Sequence, residues 1–350
     1  MNRRTFLGAL TAGVVGGTVG SETVDGGAAG RGRTGGVRVG GPRPSKTYRN
    51  PVFERVFADP DVTAVDGSYY AYGTYQDWGN PGRRRLIPIV RSENLVDWRY
   101  AGEAFRTKPD WRDQGGLWAP DVGRLKGRVV LYYSYASFQA GNPGIGVATA
   151  DDPAGPFCDR GPLFRSDEIG VPHSIDPCLF VHRGTPYLFW GSHAGIYGIR
   201  LSDDGLRTVG EKFQVAGEGV EAAYVVRRGE FFYLFGSRGT CCEGAKSTYR
   251  VVVGRSRSLR GPYRNRDGER LLAAAGTTVL HGDERFAGPG HCAVVRGPDG
   301  DHWLLYHAYE RSNPWVGPMP RRVLMLDRLV WRNGWPVVPG KTPSAVHRAP

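Results

Sequence analysis

The chain has 350 residues, 40% of them hydrophobic and 11% aromatic, with a formal net charge of +12. That is enough apolar material for one large core or two modest ones, and it excludes a disordered or fibrous chain. The 52 glycines and 25 prolines favour short strands joined by tight turns over long helices, so the chain reads as all-β.

At the N-terminus, Arg3 and Arg4 precede a weakly apolar, glycine-rich stretch that meets no further charge until Glu22. This reads as an export signal. The twin arginine followed by Thr5, Phe6 and Leu7 resembles a Tat-type leader, which implies secretion in the folded state. Residues 21–45 hold too few large apolar side chains to offset the entropy of ordering and read as a disordered linker. Residues 1–45 are therefore expected to be signal and linker, and 46–350 one folded domain.

No later stretch reaches the roughly 18–20 apolar residues that a membrane span requires, so a soluble protein is expected. Residues 1–45 carry six arginines against Glu22 and Asp25, so four of the twelve net charges sit there and +8 remains on the domain. Its arginines are scattered among acidic and aromatic residues with no basic helix or stripe, which argues against nucleic acid. An acidic polymer such as pectin is the more natural partner.

One pattern recurs five times along the domain, and it organises the chain. The copies are FADPDVTAVDGSYYAYGTY, WAPDVGRLKGRVVLYYSYAS, SIDPCLFVHRGTPYLFWGSH, VEAAYVVRRGEFFYLFGSRG and GHCAVVRGPDGDHWLLYHAY. Each opens on a polar residue, runs through an apolar stretch to a glycine turn, and ends an aromatic run at Gly-Thr, Ser or His. Two short apolar runs around a glycine turn form a β-hairpin, and a third strand follows in several copies.

The heads Asp59, Asp121, Asp176, Glu221 and His291 lie 62, 55, 45 and 70 residues apart, a period that suits four-stranded blades. The expectation is a five-bladed β-propeller. Its innermost strands line a central channel, so the five heads should meet at one mouth, with Asp121 read as structural. Asp61 should point away from that mouth by strand alternation.

The segments GTCCEGAKSTYRVVVGRSRSLRGPY from Gly239, SENLVDWRYAGEAF, LWAPDV, SIDPCLF, GPGH and WRNGWPVV together resemble glycoside hydrolase family 43, and within it the arabinanases. The resemblance runs from Asn50 to Pro339 and implies inverting hydrolysis of α-1,5-linked arabinan in plant cell-wall polysaccharide. It implies Asp59 as general base, Glu221 as general acid and Asp176 as the carboxylate that orients the acid and raises its pKa. It also implies His291 as support for a metal ion, commonly Ca2+, in the channel, with water completing the coordination of a hard ion. No organic cofactor is expected.

The chemistry asks for the same arrangement. Inversion needs an acid and a base about 6.5–9.5 Å apart, and blades one and four stand apart around a five-fold ring. Trp118 and Trp78 are candidate platforms for sugar rings. Arg322 matches an arginine position of the broader family and would bind substrate or hold the base ionised.

Two residues depart from the arabinanase pattern. Ala58 stands where endo-acting members carry His, and Cys178 follows Asp176-Pro177 where a polar residue is more familiar. An exo-acting arabinofuranosidase or β-xylosidase of the same fold is thus the alternative, with a non-catalytic carbohydrate-binding propeller behind it. A monomer is expected. The cysteines Cys158, Cys178, Cys241, Cys242 and Cys292 are odd in number, their pairing is not readable, and a bond between adjacent Cys241 and Cys242 closes a strained eight-membered ring.

Overall fold

The computed structural model describes residues 47–80 and 82–350; the expected export signal and linker lie outside the described residues. Five sheets of antiparallel strands follow one another along the chain. Blade one comprises Asp61–Val65, Ser68–Tyr72, Pro88–Ser92 and Arg99–Glu103; blade two comprises Gly116–Leu125, Arg128–Ala136, Gly144–Ala150 and Cys158–Arg165. Blades three and four begin at Cys178–His182 and Glu221–Arg228 and likewise have four strands each. The expected five-bladed propeller is the architecture found.

Blade five takes its inner three strands from Phe286–Arg296, His302–Glu310 and Val323–Arg332 and its outer strand from Phe53–Val56. The two ends of the domain thereby close the ring. Closure is reinforced where Asn50 exchanges hydrogen bonds with Leu326, its Nδ2 donating to the carbonyl at 2.8 Å and its Oδ1 accepting the N–H at 2.9 Å. Thr47–Arg49 pairs with Val346–Arg348 just outside.

The blades are held together by their apolar faces. Val225, Leu234, Val252, Leu304 and Leu326 are fully or almost fully buried in one cluster that spans several blades, and side chains of this size contribute about 1.5–3 kcal/mol each. Polar staples add direction. Asp61 Oδ2 accepts the Val122 N–H at 2.7 Å, and Asp121 Oδ2 accepts the Leu179 N–H at 2.9 Å. Each buried carboxylate thus ties its blade to the next.

These staples correct one assignment of the repeat. Asp121 is equivalent to Asp61, and the true counterpart of Asp59 in blade two is Ala119. A kink within or just before each inner strand makes the register plain: Asp59, Ala119, Asp176, Ala222 and His291 all have φ between 45° and 59°. Such values are rare outside glycine. The backbone N–H at four of these kinks goes to a side chain of the preceding blade: Asp59 to His307 Nδ1, Ala119 to Thr74 Oγ1, Asp176 to Ser134 Oγ, and His291 to Ser237 Oγ, at 2.8–3.0 Å. In these four cases the acceptor is the Thr, Ser or His of the preceding blade's aromatic run, whereas Ser192 of blade three donates to Glu221 instead.

Candidate active site

The kinked inner strands bring Asp59, Asp176, Glu221 and His291 to one cleft at the mouth of the ring, together with Trp118 and Arg322. Glu221 stands one residue before the kink of its blade, so it enters the cleft from a position different from that of the other heads.

Asp59 is almost fully buried and held on both oxygens. Arg322 Nη1 donates to Oδ1 at 2.8 Å and Thr74 Oγ1 donates to Oδ2 at 2.5 Å. His291 Nδ1 lies 3.4 Å from Oδ1. Burial by itself would raise the Asp59 carboxyl, but Arg322 first and His291 next hold it well below the usual carboxylate range. His307 Nδ1 also lies 3.3 Å from Oδ1, yet this is not an ion pair. That nitrogen accepts the Asp59 N–H and so carries no proton, and burial, aided by Arg322, pushes His307 well below its ordinary value.

Asp176 has the opposite environment. Burial first, then the Glu221 and Asp59 charges, push it up to about 7, against the opposing pull of His291 and the Ala222 N–H. His291 itself is raised: burial lowers it, but the charges of Asp59, Asp176 and Glu221 together outweigh that. Glu221 is only partly buried and meets a hydroxyl. Ser192 Oγ donates to its Oε2 at 2.7 Å, and Tyr249 lines the same cleft. Tyr249 stacks flat on His307, at 9° and 5.8 Å between centroids. A Cβ on Gly290 would lie 2.0 Å from the Tyr249 ring, so the second glycine of Gly-Pro-Gly-His gives that ring its place.

The two tryptophans part company. Trp118 lines the cleft, its ring 4.8 Å from Phe138, which is 85% exposed. Trp78 is not among the residues that line the cleft. Its indole packs beside Phe53 and Tyr100, Arg55 and Arg85 lie 5.1 and 4.2 Å from its centroid, and its Nε1 donates to the Val56 carbonyl at 2.9 Å. The first-blade loop that carries it folds back onto the strand that closes the ring, where Trp78 makes these contacts. Sequence reading missed Thr74, Ser192, His307, Tyr249 and Phe138. Thr74, Ser192 and His307 end the aromatic runs of the repeat and were visible there; Tyr249 ends the Ser-Thr-Tyr block; Phe138 left no signal.

A family model described as glycosyl hydrolases family 43 matches residues 48–336. The chain belongs to that family. This family 43 chain is 31% identical over 314 residues to the extracellular exo-α-(1→5)-L-arabinofuranosidase of Cellvibrio japonicus, covering 81% of this chain and 86% of that protein. It is 30% identical over 292 residues to the extracellular endo-α-(1→5)-L-arabinanase 1 of Bacillus subtilis, covering 79% and 86%. Among solved structures, the α-L-arabinanase of Cellvibrio cellulosa complexed with arabinohexaose superposes with a TM-score of 0.71 at 30% identity, over 81% of this chain and 96% of that one.

Proposed function

We propose that this family 43 chain is a secreted glycoside hydrolase that cleaves α-1,5-linked arabinan with inversion, Asp59 acting as general base and Glu221 as general acid. One observation carries the reading: two carboxyls facing one cleft sit in opposed environments, which is how a site separates acid from base. Asp59 is held ionised by cations, whereas the hydrogen bond to Glu221 comes from a neutral hydroxyl, that of Ser192.

In the reaction, Asp59 takes a proton from water as its oxygen attacks the anomeric carbon, and Glu221 gives its proton to the departing glycosidic oxygen. Arg322, through its 2.8 Å bond, keeps Asp59 unprotonated between turnovers. Asp176, with its raised proton affinity, sets the charge around Glu221. Trp118 offers an aromatic face for a sugar ring.

The donor set does not fit a calcium caged by protein. No group of three or more His, Cys, Asp or Glu side chains that could hold a metal occurs among the described residues. A hard ion here would rest on one ring nitrogen and water, and no step is routed through it.

The extracellular names of the relatives support secretion, and the Arg3-Arg4 pair of the leader is what favours the Tat route. No described helix is long and apolar enough to cross a membrane. Because one chain supplies all of these site residues, a monomer is sufficient.

Proton NMR of linear α-1,5-arabinan during hydrolysis tests the proposal. New reducing ends should appear first in the β configuration; α ends appearing first would refute inversion. Product sizes separate endo action, with mixed oligomers early, from the exo action that the Cellvibrio japonicus relative is named for.

A further inference from the structure

Cys241 and Cys242 are joined to each other, and both line the cleft that holds Asp59, Asp176 and Glu221. The mechanism uses neither. We infer that this adjacent-cysteine disulfide is a substrate platform, a small apolar surface against which the C–H face of a sugar ring packs. The inference rests on the arabinan reading above.

The two sulfurs are presented by a loop that is fixed at several points. Tyr309 Oη donates to the Cys241 carbonyl at 2.9 Å. Ahead of the pair, Thr240 and Thr248 are tied across the loop: the Thr240 N–H donates to Thr248 Oγ1 at 3.1 Å and the Thr248 N–H to Thr240 Oγ1 at 3.2 Å. Behind it, Arg311 donates to the Ala245 carbonyl. Trp315 lies so close to Gly244 that a Cβ there would meet its indole at 2.9 Å. The loop is thereby pinned to the short hairpin Trp315–Val316 and Met319–Pro320.

The chemistry of the surface follows. A disulfide is polarisable, has no donor and is only a weak acceptor, so it makes no strong hydrogen bond to sugar hydroxyls and offers mainly dispersion contact to C–H groups. Met319 and Pro320 line the same cleft and extend this apolar character. Trp118 and Phe138 belong to blade two, whereas the disulfide belongs to the loop between the second and third strands of blade four. The ring of carboxylates therefore has apolar contact surface on two separate blades.

A dithiol converts the pair to two thiols while it is oxidised to its own cyclic disulfide, two electrons and two protons passing to the sulfurs. Each Cys side chain is then free to rotate, and the surface loses its fixed shape. Of the remaining cysteines, Cys178 and Cys292 are buried and Cys158 is exposed.

The test is calorimetric binding of an arabino-oligosaccharide to the Glu221→Gln protein, oxidised and after reduction by a dithiol, with melting curves for both. Kd should rise about tenfold on reduction, the scale of losing one apolar ring contact. The melting temperature should hold, and reoxidation should restore affinity. The Cys241→Ala/Cys242→Ala protein should bind as weakly as the reduced form and ignore the dithiol.

Equal Kd in the two redox states would overturn the platform, as would a loss of affinity that merely tracks a fall in melting temperature. Redox-sensitive binding by a wild-type chain that never turns over arabinan would instead overturn the hydrolase reading and leave the platform standing. Absence of binding in either state overturns the platform, while turnover of arabinan by wild type decides the hydrolase reading.

Discussion

Arg322 Nη1 donates to Asp59 Oδ1 at 2.8 Å, joining residues 263 positions apart in the chain. Both groups are almost wholly removed from water, so the pair is weakly screened and one partner dictates the protonation of the other. Replacing Arg322 with Met should let burial raise Asp59, and the acidic limb of kcat/KM should move to higher pH by about one to three pH units. Arg322→Lys should keep part of the effect. An unmoved limb in Arg322→Met would show that Asp59 does not depend on this cation.

Glu221→Gln should lose about 10³-fold or more in kcat on arabinan, where the departing alcohol needs a proton, and much less on an aryl arabinofuranoside whose leaving group departs unaided. Asp59→Asn should be inactive on both. Equal losses on the two substrates for Glu221→Gln would remove Glu221 from the acid role.

Asp176 imposes a pH-dependent cost on the fold. Its folded value of about 7 stands above the ordinary 3.8, so the stability it contributes is fully present below pH 3.8 and is lost as pH rises through about 7. The loss is on the order of 4 kcal/mol. Asp176→Asn should therefore gain stability relative to wild type progressively from pH 4 to pH 8, while losing activity. Urea denaturation at several pH values measures this, and a gain that is constant with pH would contradict it.

Asn50→Ala should cost about 2–3 kcal/mol, because it strands the buried Leu326 N–H and removes the donor to its carbonyl. The melting temperature should fall while kcat at 25 °C is retained, since the residue acts on ring closure and not on the cleft. A stability within about 0.5 kcal/mol of wild type would mean the closure rests on strand pairing alone.

The sequence by itself determined the number of blades and the hairpin at each, because a repeat whose apolar runs can be buried only against its neighbours must write its period into the chain. Asp59, Asp176, Glu221 and His291 were legible as heads of that repeat. Their chemical differences were not, since a carboxylate's proton affinity is set by what the ring brings beside it: Arg322 from blade five for Asp59, other carboxylates for Asp176. The tertiary structure also exchanged Asp121 for Ala119 as the blade-two counterpart of Asp59, because register depends on a backbone kink and not on residue type. It moved Trp78 out of the cleft and placed Cys241, Cys242 and Phe138 within it, because where a loop folds depends on contacts between blades that no local pattern records.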